Sequence, residues 1–226
     1  LAFAMKLAAQ QAELKACPYV SEESKTKLEA ASAPPIRLVE IAGEDGKLAV
    51  GNETVLFRHE KTFYHRPGLF LRLKDSLGAE EITKQVAAAD AFKADYVGIP
   101  LTLDGYAVEA ASGDPAKFAG AVKAVRAATK KPLILITSAA DIAKAGLEAA
   151  SGTRPLLHAA TAANWEAMAE VAKAAKVPLV ARADTLDNLA TLTQSLTKAG
   201  LEDLVLDPGV TGPKDSLEKL TSIRRV

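Results

Sequence analysis

From about residue 69 to the end of the chain, short apolar runs alternate with longer stretches in which apolar residues recur at helical spacing. The apolar runs are "LFLRL", "YVGIP", "PLILIT", "PLLHA", "PLVARA" and "LVLDPG", each followed by a helix-compatible segment, the first four of these segments being rich in alanine. Runs that are apolar almost without interruption suit strands covered on both faces, which is the condition of a parallel sheet. Their spacing is near the ~30 residues of a βαβ unit. Proline opens three of the strands, at Pro132, Pro155 and Pro178, where a first strand residue loses no ladder donor. Helix starts are predicted at Asp114 before Pro115, at Thr137 or Ser138, and at Asn164.

Six such units, ending in the helix "KDSLEKLTSIRRV", predict an α/β fold of the TIM-type (β/α) barrel class, incomplete in this chain. No glycine-rich dinucleotide fingerprint argues for a doubly wound sheet. Residues 34–68 have a different character. "EDG" and "GN" separate β-compatible runs there, which predicts a β-hairpin cap leading into the barrel of residues 69–226. The Pro-Pro link in "SAPPIR" separates these from a small module, residues 1–33.

Composition narrows the function classes. Lys+Arg and Asp+Glu number 28 each, so no net field draws the chain to nucleic acid or to an anionic membrane. No apolar run reaches the roughly 20 residues of a membrane span, and the first 16 residues lack a signal-peptide layout. A cytoplasmic location is expected. The one cysteine, Cys17, excludes an intrachain disulfide. It precedes Pro18, as the last thiolate of a bacterial iron-sulfur run does, although a buried, unreactive thiol is the commoner role of a lone cysteine.

The segment "LAFAMKLAAQQAELKACPYVSEESKTKL" resembles the stretch that closes the four-cysteine iron-sulfur module of the corrinoid iron-sulfur protein's large (gamma) subunit. The resemblance continues through "VLFRHEKTFYHRPGLFLRL", "YVGIPLTLDGY" and "LVLDPGVTGPKDSLEKLTSIRR", and so extends along the whole chain. That family is a methyl carrier of the reductive acetyl-CoA pathway, the carbon-fixation route of anaerobes. Its cobalamin cobalt takes a methyl group from methyltetrahydrofolate on a methyltransferase and passes it to acetyl-CoA synthase, and a [4Fe-4S] cluster restores the reduced cobalt.

The resemblance implies that Cys17 is the fourth cluster ligand, and that residues 1–226 are mainly barrel scaffold and docking body. It implies as partners a small subunit in a heterodimer, the methyltransferase, acetyl-CoA synthase and a reductive activator. The family's first three cluster cysteines and its cobalamin domain are not in the sequence, so the chain is expected to be the middle of a longer subunit, binding neither cofactor fully by itself. No catalytic residue in the strict sense is expected.

Other candidates come from the residues themselves. Asp104 after the second predicted strand, His158 on the fourth, Arg182 and Asp184 on the fifth and Asp207 on the sixth are expected at the carboxyl ends of the strands, where parallel α/β proteins bind ligands. They would line a polar pocket, or cap helices and neutralise one another. If Asp104, Asp184 and Asp207 converge, the alternative is a barrel methyltransferase that binds a pterin one-carbon donor directly. His59 and His65 read as surface or hydrogen-bonded residues, since a metal would need a third ligand. Trp165 and Met168 read as one apolar helix stripe.

Overall fold

The structure is a computed structural model, and it describes residue 21 and residues 36–51, 65–209 and 212–225. The chain divides into two compact units, residues 1–38 with 50–67 and residues 39–49 with 68–226. The second unit carries nearly all the described elements.

Its centre is a parallel sheet of six strands: β3 (Phe70–Lys74), β6 (Gly105–Glu109), β7 (Leu133–Ile136), β8 (Leu156–Ala160), β9 (Leu179–Arg182) and β10 (Leu204–Asp207). Each is followed by a helix, in turn α1 (Ala79–Ala91), α2 (Pro115–Ala128), α3 (Ala140–Ala149), α4 (Trp165–Ala175), α5 (Leu186–Lys198) and α6 (Pro213–Arg225). Strands lie side by side in chain order from β3 to β10, with no reversal. That is the order of a barrel wall, whereas a doubly wound sheet reverses at a switch point. Among the described residues β3 and β10 remain the two edges, so the wall is not closed.

Period-two alternation divides each strand between two faces. Leu73, Tyr106, Val108, Leu133, Leu135, Leu157 and Leu179 point to the helices, where they meet Ile82 and Val86 of α1, Phe118 and Val122 of α2, Met168 and Ala172 of α4 and Leu189 and Leu196 of α5. Met168 is fully buried and Trp165 is packed partly buried against the same core, as the predicted stripe requires. Tyr106 takes a polar handle into this core: its hydroxyl donates to Asp90 Oδ1 at 2.7 Å, and Lys131 Nζ donates to the same oxygen at 2.7 Å.

The other face carries a second apolar cluster, Ile41, Leu156, Ala159 and Val180 with Leu48, Ile134 and Val205. Ile41 and Leu48 come from a hairpin of β1 (Val39–Ala42) and β2 (Lys47–Val50), which occupies the amino end of the sheet. Ala42 and Arg154 exchange backbone hydrogen bonds of 2.9 Å, and Glu44 and Asp45 N–H donate to Lys130 O, just ahead of β7. Glycine is required at Gly43, where a Cβ would stand 2.3 Å from Lys130 O. Arg154 ties the hairpin in further by donating to Glu40 O of β1 at 2.5 Å, to Lys176 O after α4 at 3.3 Å, and to the Asp203 carboxylate ahead of β10.

One predicted strand lies elsewhere. "YVGIP" does not enter the main sheet. It forms an antiparallel hairpin of β4 (Ala94–Tyr96) and β5 (Ile99–Leu101), paired Tyr96 to Ile99. Val97 and Gly98, both at positive φ, make the two-residue turn, the pattern of a type I′ hairpin, and Gly98 N–H donates to Asp95 Oδ1 at 2.9 Å. Pro100 explains the displacement, because a central strand has no place for a residue without an N–H. The sheet takes "GYAVE" instead.

Capping also departs from expectation at two helices. Asp114 accepts from Ala116 N–H at 2.8 Å and caps α2 as predicted. The N-cap position of α3 is Ala139, with Thr137 Oγ1 accepting from its N–H at 3.2 Å, so neither Thr137 nor Ser138 is the cap residue. Asn164 stands at the N-cap of α4, but its side chain ties loops together: Oδ1 accepts from Thr161 N–H, and Nδ2 donates to Ser138 O at 2.8 Å.

Candidate functional site: the carboxyl end of the sheet

Strand register places Lys74, Glu109, Ile136, His158, then Arg182 and Asp207 along the carboxyl end of the sheet. These positions continue the face that bears Ile134, Leu156, Val180 and Val205, so one face grades from apolar at the amino end to polar at the carboxyl end. The pairing of β8 with β9 shifts between Leu157 and Ala160, so β8 spends one more residue than its partner there. Such irregularities re-aim side chains. His158 sits in this one and reaches past β9 to β10: His158 Nε2 lies 3.1 Å from Asp207 Oδ2.

Asp207 is the hub. Arg182 Nε stands 3.7 Å from its Oδ2, and Gly209 N–H donates to its Oδ1 at 2.9 Å. Burial alone would raise this carboxyl's pKa, but the Gly209 N–H, the His158 hydrogen bond and the Arg182 charge outweigh it and hold the pKa below its ordinary value. On the other side of the row, Arg72 Nε lies 3.4 Å from Glu109 Oε2. A histidine bonded through one nitrogen to a carboxylate has its tautomer set by that bond, a geometry able to orient a proton acceptor. Here the pair also faces Arg182, and the row neutralises much of its own charge.

Of the residues singled out in the sequence, His158, Arg182 and Asp207 come together. Asp184 follows β9 at the same end, beside the loop after β10, where a Cβ on Gly209 would meet Asp184 Oδ1 at 2.7 Å. Lys219 Nζ donates to Asp184 O at 2.9 Å and to Pro208 O at 3.1 Å, joining α6 to both loops. Asp104 does not join them. It precedes β6, so it stands at the opposite, amino end of the sheet, and its carboxylate accepts from Leu69 N–H at 2.8 Å. The expected convergence of Asp104, Asp184 and Asp207 is therefore corrected, and the cause is the misplaced second strand. Cys17 and His59 lie outside the described residues, and His65 is half-buried in the first unit.

Arg72, Lys74 and Glu109 belong to the row and were missed. Alternation in "FLRLK" sets Arg72 and Lys74 on one face and Leu71 and Leu73 on the other, a signal masked by reading the run as continuously apolar. Glu109 was missed with its strand. Asp75, only 4% exposed, is another: it accepts from Ser112 N–H at 2.8 Å and Ser112 Oγ at 2.6 Å, linking the loops that follow β3 and β6. A recess of about 350 Å³ lies away from the row, on the outer surface between α2 and α3, lined by residues such as Ala119, Lys123 and Glu148.

The described residues do not fit a complete metal or cluster site. Among the described residues no group of three or more His, Cys, Asp or Glu side chains is placed to hold a metal ion, and Cys17, the chain's one cysteine, supplies at most one of the four thiolates of a [4Fe-4S] cluster. No described helix is long and apolar enough to cross a membrane.

Comparison with known proteins bears on the fold first. Dihydropteroate synthase from Thermus thermophilus, in complex with 6HMPPP, superposes with a TM-score of 0.55 over 82% of this chain and 72% of that chain at 16% identity, a likeness of fold alone. Over all of this chain, the corrinoid/iron-sulfur protein large subunit of Moorella thermoacetica is 39% identical, and the acetyl-CoA decarbonylase/synthase complex subunit gamma 2 of Methanosarcina mazei is also 39% identical. The chain covers 51% and 50% of these two proteins, about half the length of the curated relatives it matches. Residues 38–226 match the family described as CO dehydrogenase/acetyl-CoA synthase delta subunit, and with relatives named as large and gamma subunits along its whole length, the chain belongs to this family of corrinoid/iron-sulfur and acetyl-CoA synthase complex subunits.

Proposed function

We propose that the chain is the barrel body of a corrinoid iron-sulfur methyl carrier, holding and docking the groups that move a methyl from methyltetrahydrofolate, by way of a methyltransferase, to acetyl-CoA synthase. The observation that carries this reading is the 39% identity with a corrinoid/iron-sulfur protein large subunit from one end of the chain to the other, the Cys17 segment included. The carboxyl-end row supports it in a second way: Arg182, His158 and Asp207 are engaged with one another rather than held open for a ligand.

In the whole protein Cys17 is one cluster ligand, and the cobalamin is held outside residues 1–226. The cluster, when bound, supplies single electrons to cobalt. The chain's own part is to supply the thiolate at position 17 and the sheet-bearing body. A module ending near residue 33, a segment 34–68 and a barrel body 69–226 belong to the same reading. So do a cytoplasmic location, a heterodimer with a small subunit, and contacts with the methyltransferase, acetyl-CoA synthase and an ATP-dependent reductive activator.

Electron paramagnetic resonance on the reduced full-length protein, wild type against Cys17→Ala, tests the ligand assignment. The expected result is loss of the cluster signal or its conversion to a three-iron form. An unchanged signal would remove Cys17 from the cluster. Transfer of labelled methyl from methyltetrahydrofolate to the corrinoid should require added methyltransferase, and turnover without it would refute the carrier reading.

A further inference from the structure

The Lys219 side chain of α6 is only 21% exposed, and its ammonium meets three oxygens: Asp184 O at 2.9 Å, Pro208 O at 3.1 Å and Asp215 Oδ2 at 3.2 Å. An i,i+4 pair along a helix accounts for Asp215 alone. The two carbonyls belong to the loops after β9 and β10, and one of them is part of a peptide that the charged row also uses. Pro208 O and Gly209 N–H are the two ends of a single peptide unit. Its oxygen accepts from Lys219, and its N–H donates to Asp207 Oδ1 at 2.9 Å.

A peptide unit is planar and rigid, so a cation that fixes the oxygen also fixes the direction of the N–H. Hydrogen bonds joined in a chain polarise one another, so the ammonium at one end makes the N–H at the other a better donor to the carboxylate. The backbone beside this peptide is soft. Gly209 has a φ of 61°, and glycine takes positive and negative φ about equally well, so the peptide is free to turn over there unless something holds it. Turning it would carry the carbonyl away from Lys219 and the N–H away from Asp207. The chain of contacts continues on the far side: Asp207, ionised at neutral pH, meets His158 Nε2 at 3.1 Å through its other oxygen, so Nε2 carries the ring proton in that bond.

We propose that Lys219 is a positioning residue for His158: by locking the Pro208–Gly209 peptide it holds Asp207 in the orientation that sets the histidine tautomer, so that α6 and the row form one conformational device. Withdrawal of α6 unlocks the peptide, takes the N–H from Asp207 and loosens the ring on β8. A lysine that only tied two loops together would contribute to stability and leave the tautomer as it is.

The test is nitrogen-15 NMR of histidine-labelled full-length protein, with His158 assigned by His158→Gln, together with amide hydrogen exchange. Wild type should show His158 as the Nε2–H tautomer at neutral pH. In Lys219→Met the two tautomers should mix and the Gly209 amide should exchange about tenfold faster or more, while the Val108 and Leu135 amides of β6 and β7 keep their protection. Lys219→Ala lacks the atoms of n-propylammonium, so adding that cation should restore the wild-type tautomer, and n-propanol should not. An unchanged His158 signal in Lys219→Met overturns the proposal. Faster exchange throughout the sheet overturns it in favour of a general stabilising role, and rescue by n-propanol as good as by n-propylammonium overturns it in favour of packing.

Discussion

Replacing Arg154 by leucine removes three contacts from the amino end of the sheet while keeping an aliphatic side chain over the same surface. The bond to Glu40 O is short and part-buried, and as a charged donor to a carbonyl it contributes about 1.5–2 kcal/mol. The longer, exposed bond to Lys176 O adds about 0.5 kcal/mol. With the Arg154 side chain 32% exposed, the Asp203 ion pair belongs near the surface range, about 0.5–1 kcal/mol. The expected loss is about 3 kcal/mol, a fall in Tm of about 6–12 °C for a unit of this size.

Urea unfolding followed by the fluorescence of Trp165, the chain's single tryptophan, measures that loss. Hydrogen exchange locates it, since the Ala42 and Glu44 amides, bonded to Arg154 O and Lys130 O, should exchange faster in the variant. Arg154→Lys retains the charge facing Asp203 but not the fork that reaches two carbonyls as well, so it should recover about 1 kcal/mol. A leucine variant within about 0.5 kcal/mol of wild type, or a lysine variant as stable as wild type, would refute the clamp.

The folded-state pKa of Asp207 lies below its unfolded value of about 3.9, so its contribution to stability is complete above that value and is lost as pH falls through the folded one. Asp207→Asn should therefore be less stable than wild type at pH 7, with the gap closing as unfolding is measured from about pH 5 downward; a gap independent of pH would show that the carboxylate charge is immaterial. Gly146→Ala on α3 should destabilise by about 1–2 kcal/mol despite alanine's better helix propensity, because its Cβ would stand 2.3 Å from Cε1 of the fully buried Phe118 ring. Chemical denaturation with and without Phe118→Leu checks this, and a stabilised Gly146→Ala would mean that the ring moves freely aside.

Much of the main sheet was legible because β7 to β10 are apolar runs set between helix-compatible segments, and proline stands just ahead of three of them. Sequence reading failed where a residue's role depends on distant elements. Pro100 should have demoted "YVGIP" to an edge, but the run's apolar content outweighed it, and the error carried Asp104 to the wrong end of the sheet. Arg154 read as the residue before a proline, since its three acceptors come from a hairpin more than a hundred positions earlier, a helix end and a loop before another strand. His158 was recognisable by its place near the end of "PLLHA". Its partnership with Asp207 across an intervening strand depends on the extra residue in β8, which no local pattern announces.

The same geometry bears on what the inner face of the sheet can do. At its amino end the face is filled: Ile41 and Leu48 of the hairpin lie among Ile134, Leu156, Val180 and Val205, so a ligand has no apolar recess to enter from that side. At its carboxyl end the charges around Asp207 already have partners, since Asp207 accepts from Gly209 N–H as well as meeting His158 and Arg182. A ligand bound there must replace those interactions one for one, because a partly buried carboxylate or guanidinium left without its partner costs more than a single new hydrogen bond returns. A ready-made small-molecule site has the opposite character, an apolar recess with a few convergent polar groups. A plugged apolar end and a mutually engaged His158, Arg182 and Asp207 suit a body that holds its shape, which is what the proposed carrier role asks of residues 69–226.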